Sequence, residues 1–216
     1  MILKFLKLRF FLVPYSVILL LLIVLLFYFK KEELHLLLTR HRSMAADYFF
    51  MSWTEVGGTL PYIAIALLFF YRYALALYLI TAQLLGGIFS VILKRIFDAP
   101  RPRLYFEQLT PHVYLPHIEG WDLYRHHSMP SGHTITAFAL FFGVAMVSKN
   151  RYVHFLCFVG AALVGYSRIY LSQHFAADVL AGSLIGVLCA WICLPLYEKW
   201  NTKYPTASLR DSFRKK

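Results

Sequence analysis

His174 and Asp178 stand four residues apart at the head of a long apolar segment, and Ser167-Arg168 closes the segment before it. On a helix that begins near His174, this spacing puts both side chains on one face. The carboxylate can then accept a hydrogen bond from one imidazole nitrogen and leave the other free to attack an electrophile. A carboxylate that fixes the tautomer and stabilises the imidazolium follows the logic of the second and third members of a hydrolytic triad, here with histidine itself as the nucleophile. His133 closes the run Pro130-Ser131-Gly132-His133 at the start of another apolar segment. With an ordinary pKa of about 6.5 it is suited to give a proton to a departing oxygen.

The cations beside these groups indicate what is attacked. Lys94 ends a third apolar segment and Arg101-Pro102 follows it. With Arg168 they bring three positive charges to the edge of a low-dielectric region, where their repulsion is costly unless a polyanion compensates it. Arginine offers a planar fork and lysine a compact point charge, a set that fits a phosphoryl group better than a carboxylate. Ser131 and Gly132 add a hydroxyl and backbone N–H groups at a helix N-terminus, where an anion is favoured, and Gly132 permits close approach. A lone histidine, or a lone Ser-Gly, is more often a cap or a satisfied polar group, so the inference rests on their conjunction. His174 and Asp178 could instead ligate a metal with His112, His117, His126 and His127, since imidazole and carboxylate suit several divalent ions. The three nearby cations oppose a dication, so neither a metal nor another cofactor is expected.

The elements that position these residues follow from composition. Of 216 residues 59% are hydrophobic and only 15% charged, where a soluble domain carries about 25% charged residues. Crossing about 30 Å of hydrocarbon takes about 20 apolar residues. Six runs read as spans, at approximately 10–29, 52–71, 73–93, 131–148, 152–171 and 175–196, which predicts an all-α, six-helix transmembrane bundle. Alternate spans run in opposite directions, so the end of each odd span faces the start of the next even one. Lys94 to Arg101, Pro130 to His133, and Ser167 to Asp178 then all fall on one membrane face, and one shared site is the natural expectation. Intramembrane polar residues are expensive enough that such a cluster is read as functional.

Charge orients the bundle. With the N-terminus inside, the inner segments hold twelve basic against two acidic residues and the outer segments ten against nine. The positive-inside rule then puts both termini in the cytoplasm and the polar cluster on the extracytoplasmic side. The net charge of +11 does not indicate nucleic-acid binding, because no basic stripe with interleaved aromatics occurs outside the spans. Lys4, Lys7 and Arg9 precede the first run as in a signal peptide, but the run is long and ends Phe27-Tyr28-Phe29-Lys30-Lys31 with no small-residue cleavage site, so it reads as an uncleaved anchor. Cys157, Cys189 and Cys193 lie in apolar runs and read as core thiols. Two outer segments are long. Residues 30–51 predict either an interfacial helix or an ordered loop capping the bundle. Residues 94–130, with Pro100, Pro102, Pro111, Pro116 and Pro130, predict a structured loop. No repeat or separate soluble domain interrupts the chain, so residues 1–216 read as a single membrane domain.

These residues resemble the three motifs of the type 2 phosphatidic acid phosphatase superfamily, integral membrane lipid phosphatases related to vanadium haloperoxidases and bacterial acid phosphatases. The motifs are Lys94 to Arg101-Pro102, Pro130-Ser131-Gly132-His133, and Ser167-Arg168 to His174 to Asp178, with no departure at any specified position. The resemblance implies a metal-independent, two-step reaction at the outer membrane face. In it His174 attacks phosphorus, His133 protonates the leaving oxygen, and Asp178 orients His174. Lys94, Arg101, Arg168, Ser131 and Gly132 hold the phosphoryl oxygens. Water then hydrolyses the phosphohistidine. The implied partners are the bilayer and a phosphorylated lipid, foremost undecaprenyl diphosphate or a lipid A phosphate, then phosphatidylglycerol phosphate or phosphatidic acid. The implied location is a bacterial inner membrane. The sequence leaves the oligomeric state open. A lipid transporter that uses the basic cluster only for binding, and a metal-dependent hydrolase, remain as readings from other classes.

Overall fold

The structure, a computed structural model, describes residues 8–205 and 208–209. Lys4, Lys7, Arg210, Asp211, Arg214, Lys215 and Lys216, which enter the charge argument, lie outside the described residues. The described chain is helical without strands: α1 (Arg9–Tyr28), α2 (Lys31–Thr39), α3 (Met44–Trp53), a 3₁₀ turn (Thr54–Gly57), α4 (Leu60–Leu68), α5 (Tyr73–Phe97), α6 (Pro102–Leu109), α7 (Gly132–Val147), α8 (Arg151–Tyr170) and α9 (Ala176–Lys203). Among the described residues α1, α5, α8 and α9 are long and apolar enough to cross a membrane, and α7 is a shorter apolar helix. Lipid-facing surface is visible as exposed aliphatic side chains, such as Val13, Val17 and Leu20 on α1 and Leu84, Ile88 and Val91 on α5.

The stretch 52–71 departs from the expectation of one span. It is divided among the end of α3, the 3₁₀ turn and the nine-residue α4. Gly57 and Gly58 weaken a helix there, and Pro61, in the first turn of α4, starts a new helix more readily than it continues an old one. The structure therefore does not display six continuous spans.

Helix α7 is the hub: α5, α8 and α9 all pack against it. Small residues allow this. A Cβ on Gly186 would lie 2.6 Å from the Ile135 carbonyl oxygen, and one on Gly182 2.7 Å from that of Ser131, so α9 approaches α7 backbone to backbone. Buried polar side chains add links, with Tyr78 Oη donating to the Ala190 carbonyl at 2.8 Å and Gln83 Nε2 to that of Thr136 at 3.0 Å. Cys157, Cys189 and Cys193 are buried free thiols in this core.

The outer segments cover one end of the bundle. Residues 30–51 form α2 and α3, not a loop, and α2 buries Leu34 against Ile169, Ala176 and Val179 of α8 and α9. After α5 the chain makes a left-handed turn at Asp98, a residue type that tolerates it. It then forms the short α6, whose first residue is Pro102, and runs irregularly to α7. The prolines predicted a loop throughout. Proline at a first helical position carries no penalty, because its missing N–H would have no intrahelical acceptor there.

Candidate active site

The ends of α5, α7, α8 and α9 meet at one end of the bundle, and backbone hydrogen bonds fix the junction. Ser131 N–H, at the N-cap of α7, donates to the Asp178 carbonyl at 3.0 Å, joining the first turns of α7 and α9. The N–H groups of Gln173 and His174 both donate to the Arg168 carbonyl at 3.0 Å, which folds the link from α8 to α9 into a tight turn. Helix α9 begins at Ala176, so His174 sits just ahead of it and the pair is not on a common helical face. The turn nevertheless brings His174 Nδ1 to 3.5 Å from Asp178 Oδ2. That is long for a hydrogen bond, and Nδ1 has no other acceptor. Asp178 Oδ2 is held from two other sides, by Ser128 Oγ at 2.5 Å and by the Phe175 N–H at 2.9 Å. The carboxylate thus caps its own helix while facing the imidazole.

Both side chains are 2% exposed or less. Burial pushes the His174 imidazole down to about 3; Asp178 opposes the shift, while Arg101 and Arg168 reinforce it. The ring is therefore neutral at physiological pH, with a lone pair available.

A cavity of about 760 Å³ opens beside this pair, lined by Gly132, His133, Arg168, Gln173, Thr54, Glu55 and Tyr124, and by Gly86, Gly87, Ser90 and Val91 of α5. Gly132 and His133 are the first residues of α7, whose N–H groups have no intrahelical acceptor. Lys94 reaches the same place: a Cβ on Gly132 would lie 3.8 Å from its Nζ and 3.5 Å from Ser90 Oγ. Arg168, 4% exposed, donates to Thr54 Oγ1 at 2.8 Å, and its Nε has no partner. Arg101 is turned to the loop side, donating through Nε to the His126 carbonyl at 2.9 Å and through Nη1 to both oxygens of Gln173 at 3.2 Å. Ser131 is buried, and its hydroxyl accepts from Thr134 Oγ1 at 2.9 Å. Gly132, His133, Arg168 and Lys94 thus converge on the cavity, while His174, Asp178, Ser131 and Arg101 form the layer behind it.

Four residues join the site that sequence reasoning did not assign to it. Ser128 anchors Asp178; Gln173 ties Arg101 to the loop through its Nε2, which donates to the Asp122 carbonyl at 2.7 Å; Thr54 holds Arg168; Glu55 borders the cavity. Gln173 was open to suspicion as the residue before His174. Ser128 lies two residues before Pro130, while Thr54 and Glu55 come from a distant part of the chain and only tertiary folding brings them in.

These features define an integral membrane helical protein that gathers histidines and cations around a polar cavity at one end of its bundle. Known proteins share the pattern. A sequence model of the PAP2 superfamily matches residues 75–202. The chain belongs to that superfamily. It is 27% identical over 107 residues to the undecaprenyl-diphosphatase BcrC of Bacillus subtilis, covering 50% of each chain. It is 26% identical over 154 residues to a lipid A 4'-phosphatase of Porphyromonas gingivalis, covering 67% of this chain and 64% of that one. The matches thus span half to just under two thirds of those relatives' own lengths. The crystal structure of Aquifex aeolicus LpxE superposes with a TM-score of 0.65 at 30% identity, covering 78% of this chain and 97% of that one.

Proposed function

We propose that the chain is a lipid phosphatase that cleaves a phosphate monoester or diphosphate through a phosphohistidine on His174, with no metal or other cofactor. The observation that carries this reading is the convergence of Lys94, Gly132, His133 and Arg168 on one cavity, with the neutral His174 and Asp178 directly behind it. The neutral imidazole attacks phosphorus through Nε2 as the bond to the leaving oxygen breaks, and His133 gives that oxygen a proton. Asp178 accepts from Nδ1–H and stabilises the imidazolium as it forms; their 3.5 Å separation shortens as charge develops. Lys94, Arg101 and Arg168, with Ser131 and the N–H groups opening α7, hold the phosphoryl oxygens and supply the positive charge that a dication would otherwise bring. Water then attacks the phosphohistidine with His133 as base, releasing inorganic phosphate. His174 Nδ1 faces Asp178, so Nε2 is the nitrogen left to meet phosphorus.

An amphiphile suits this cavity because it continues from Gly132 along α5 to Gly86, eight residues before Lys94 and so about 12 Å further down the bundle. The tail then lies at bilayer depth and the phosphate at the cluster. We place α3 to α4 as a broken second span and α7 as a short fourth one. This gives six crossings with both termini cytoplasmic and the site extracytoplasmic, in a bacterial inner membrane. The named activities of the relatives favour undecaprenyl diphosphate or a lipid A phosphate ahead of phosphatidylglycerol phosphate and phosphatidic acid. Phosphate release by purified protein from each of these four lipids tests the reading. Turnover that vanadate inhibits, that EDTA leaves intact and that His174→Ala eliminates supports it. No release from any lipid, or substantial release by a folded His174→Ala variant, overturns it.

A further inference from the structure

The 3₁₀ turn Thr54–Gly57 is fixed to both α7 and α8. Thr54 Oγ1 accepts from Arg168 at 2.8 Å, and Gly57 packs so closely on α7 that a Cβ there would lie 2.6 Å from the His133 carbonyl oxygen. Glu55 is thereby carried to the edge of the catalytic cavity. A Cβ on Gly58 would lie 3.0 Å from Glu55 Oε2 and 3.2 Å from His133 Nε2, so the carboxylate and the imidazole flank one gap that glycine leaves open. We propose that Glu55 is a positioning residue for His133. On substrate binding its carboxylate accepts a hydrogen bond from Nε2–H, which leaves Nδ1 as the nitrogen that gives a proton to the leaving oxygen and regains one from water. This deepens the phosphatase reading and rests on it.

The charges in the cavity give the reason for such a partner. A histidine that donates a proton must first carry it as an imidazolium. His133 faces Lys94, Arg101, Arg168 and His174, and the three cations oppose that charge. Of the carboxylates on the lining, Glu55 and Asp122, Glu55 is the one that the gap at Gly58 places beside the ring. The arrangement repeats that of Asp178 and His174 with the nitrogens exchanged, since there the carboxylate faces Nδ1. Glu55 also attracts the Arg168 guanidinium, and the competing role is that it does no more than balance that cation. The two roles differ in their effect on rate. Balancing Arg168 affects every phosphate ester alike, whereas serving His133 matters only where the leaving oxygen needs a proton.

The purified full-length chain distinguishes them. kcat/KM, which reports the steps up to departure of the first product, is measured for two esters. One is the lipid monophosphate that the wild type cleaves fastest, which expels an alkoxide; the other is p-nitrophenyl phosphate, whose phenolate departs without a proton. Glu55→Gln should lower the first by about tenfold and the second by less than about twofold. Glu55→Asp should recover part of the loss, and in a His133→Asn background Glu55→Gln should cost nothing further. The limb of the lipid pH profile that falls as pH rises should move to lower pH in Glu55→Gln, because the cations then expel the His133 proton sooner. Glu55 is exposed, so the unfolding midpoint should not change. An unchanged kcat/KM in Glu55→Gln, an equal loss on both esters, or a further loss in the His133→Asn background overturns the proposal. Failure of the wild type to release phosphate from either ester or from any of the lipids would remove the phosphatase reading itself, and this assignment with it.

Discussion

Asp178 is the most heavily supported group at the site, and its supports differ in kind. The Phe175 N–H belongs to its own helix, whereas Ser128 comes from the far end of the long loop and is itself pinned by its N–H to the Ala99 carbonyl at 2.9 Å. Asp178→Asn keeps the shape but turns an acceptor-only group into one that can donate, which permits the wrong imidazole tautomer. We expect kcat to fall by about a hundredfold or more with little change in KM. Ser128→Ala removes a hydrogen bond to a buried carboxylate worth about 1.5–3 kcal/mol. It should lower both kcat and the unfolding midpoint, and Ser128→Thr should restore much of each. A fully active Ser128→Ala variant would show that the loop does not set the carboxylate.

Two buried rings also govern the response to acid. Burial pushes His174 down to about 3 and His35 to about 4, whereas an unfolded histidine takes up its proton at about pH 6.5. Between those values the unfolded chain binds more protons than the folded one. Stability is therefore full above about pH 6.5 and declines as pH falls, by at most about 1.4 kcal/mol per pH unit for each ring. Thermal unfolding in detergent between about pH 7.5 and 5 should show the decline, and His35→Gln should flatten it. An unchanged slope in that variant would mean that His35 is not held neutral.

At the scale of elements the site depends on how closely α9 lies against α7. A methyl on Gly186 would meet the Ile135 carbonyl at 2.6 Å and the Ala139 nitrogen at 3.0 Å, and neither backbone atom can yield. Gly186→Ala must push the helices apart, which strains the bond from Ser131 N–H to the Asp178 carbonyl that aligns His133 with His174. A loss of about 1–3 kcal/mol together with reduced kcat is expected. Gly87→Ala on α5, where a Cβ meets nothing within 4 Å, should not lower the unfolding midpoint and should raise it slightly through helix propensity. Equal midpoints for the two variants would refute the close approach. The same elements show what sequence could disclose. Apolar runs long enough for bilayer crossing made α1, α5, α8 and α9 legible, since length and hydropathy are local properties. Region 52–71 misled because its apolar run, from about Gly57 to Tyr71, is too short for a span and invites extension back to Ser52 across Thr54 and Glu55. Gly57, Gly58 and Pro61 permit the break and contact fixes it: Gly57 sits where a Cβ would lie 2.6 Å from the His133 carbonyl. The motif residues were legible as types, but their division into a cavity wall and a buried layer was not. Ser128 and Thr54 had no local signature.

Across the whole molecule, the cavity and the turn between α7 and α8 lie at opposite ends of the bundle. Helix α7 runs 16 residues from Gly132 to Val147, about 24 Å, and the turn after it carries Lys149 and Arg151. In the orientation proposed above these basic residues lie in the cytoplasm and the cavity lies outside it, where the proposed activity would meet lipids of the outer leaflet. Thiol labelling in intact cells decides the point, because Cys157, Cys189 and Cys193 are buried and should contribute little background. Glu119→Cys, on the exposed loop beside the cavity, should react with a membrane-impermeant maleimide added outside. Lys149→Cys should react only after permeabilisation. The opposite pattern would turn the protein over in the membrane. The phosphate seat would then face cytoplasmic lipids, and the charge argument would fail while the chemistry of His174 and Asp178 stood unchanged.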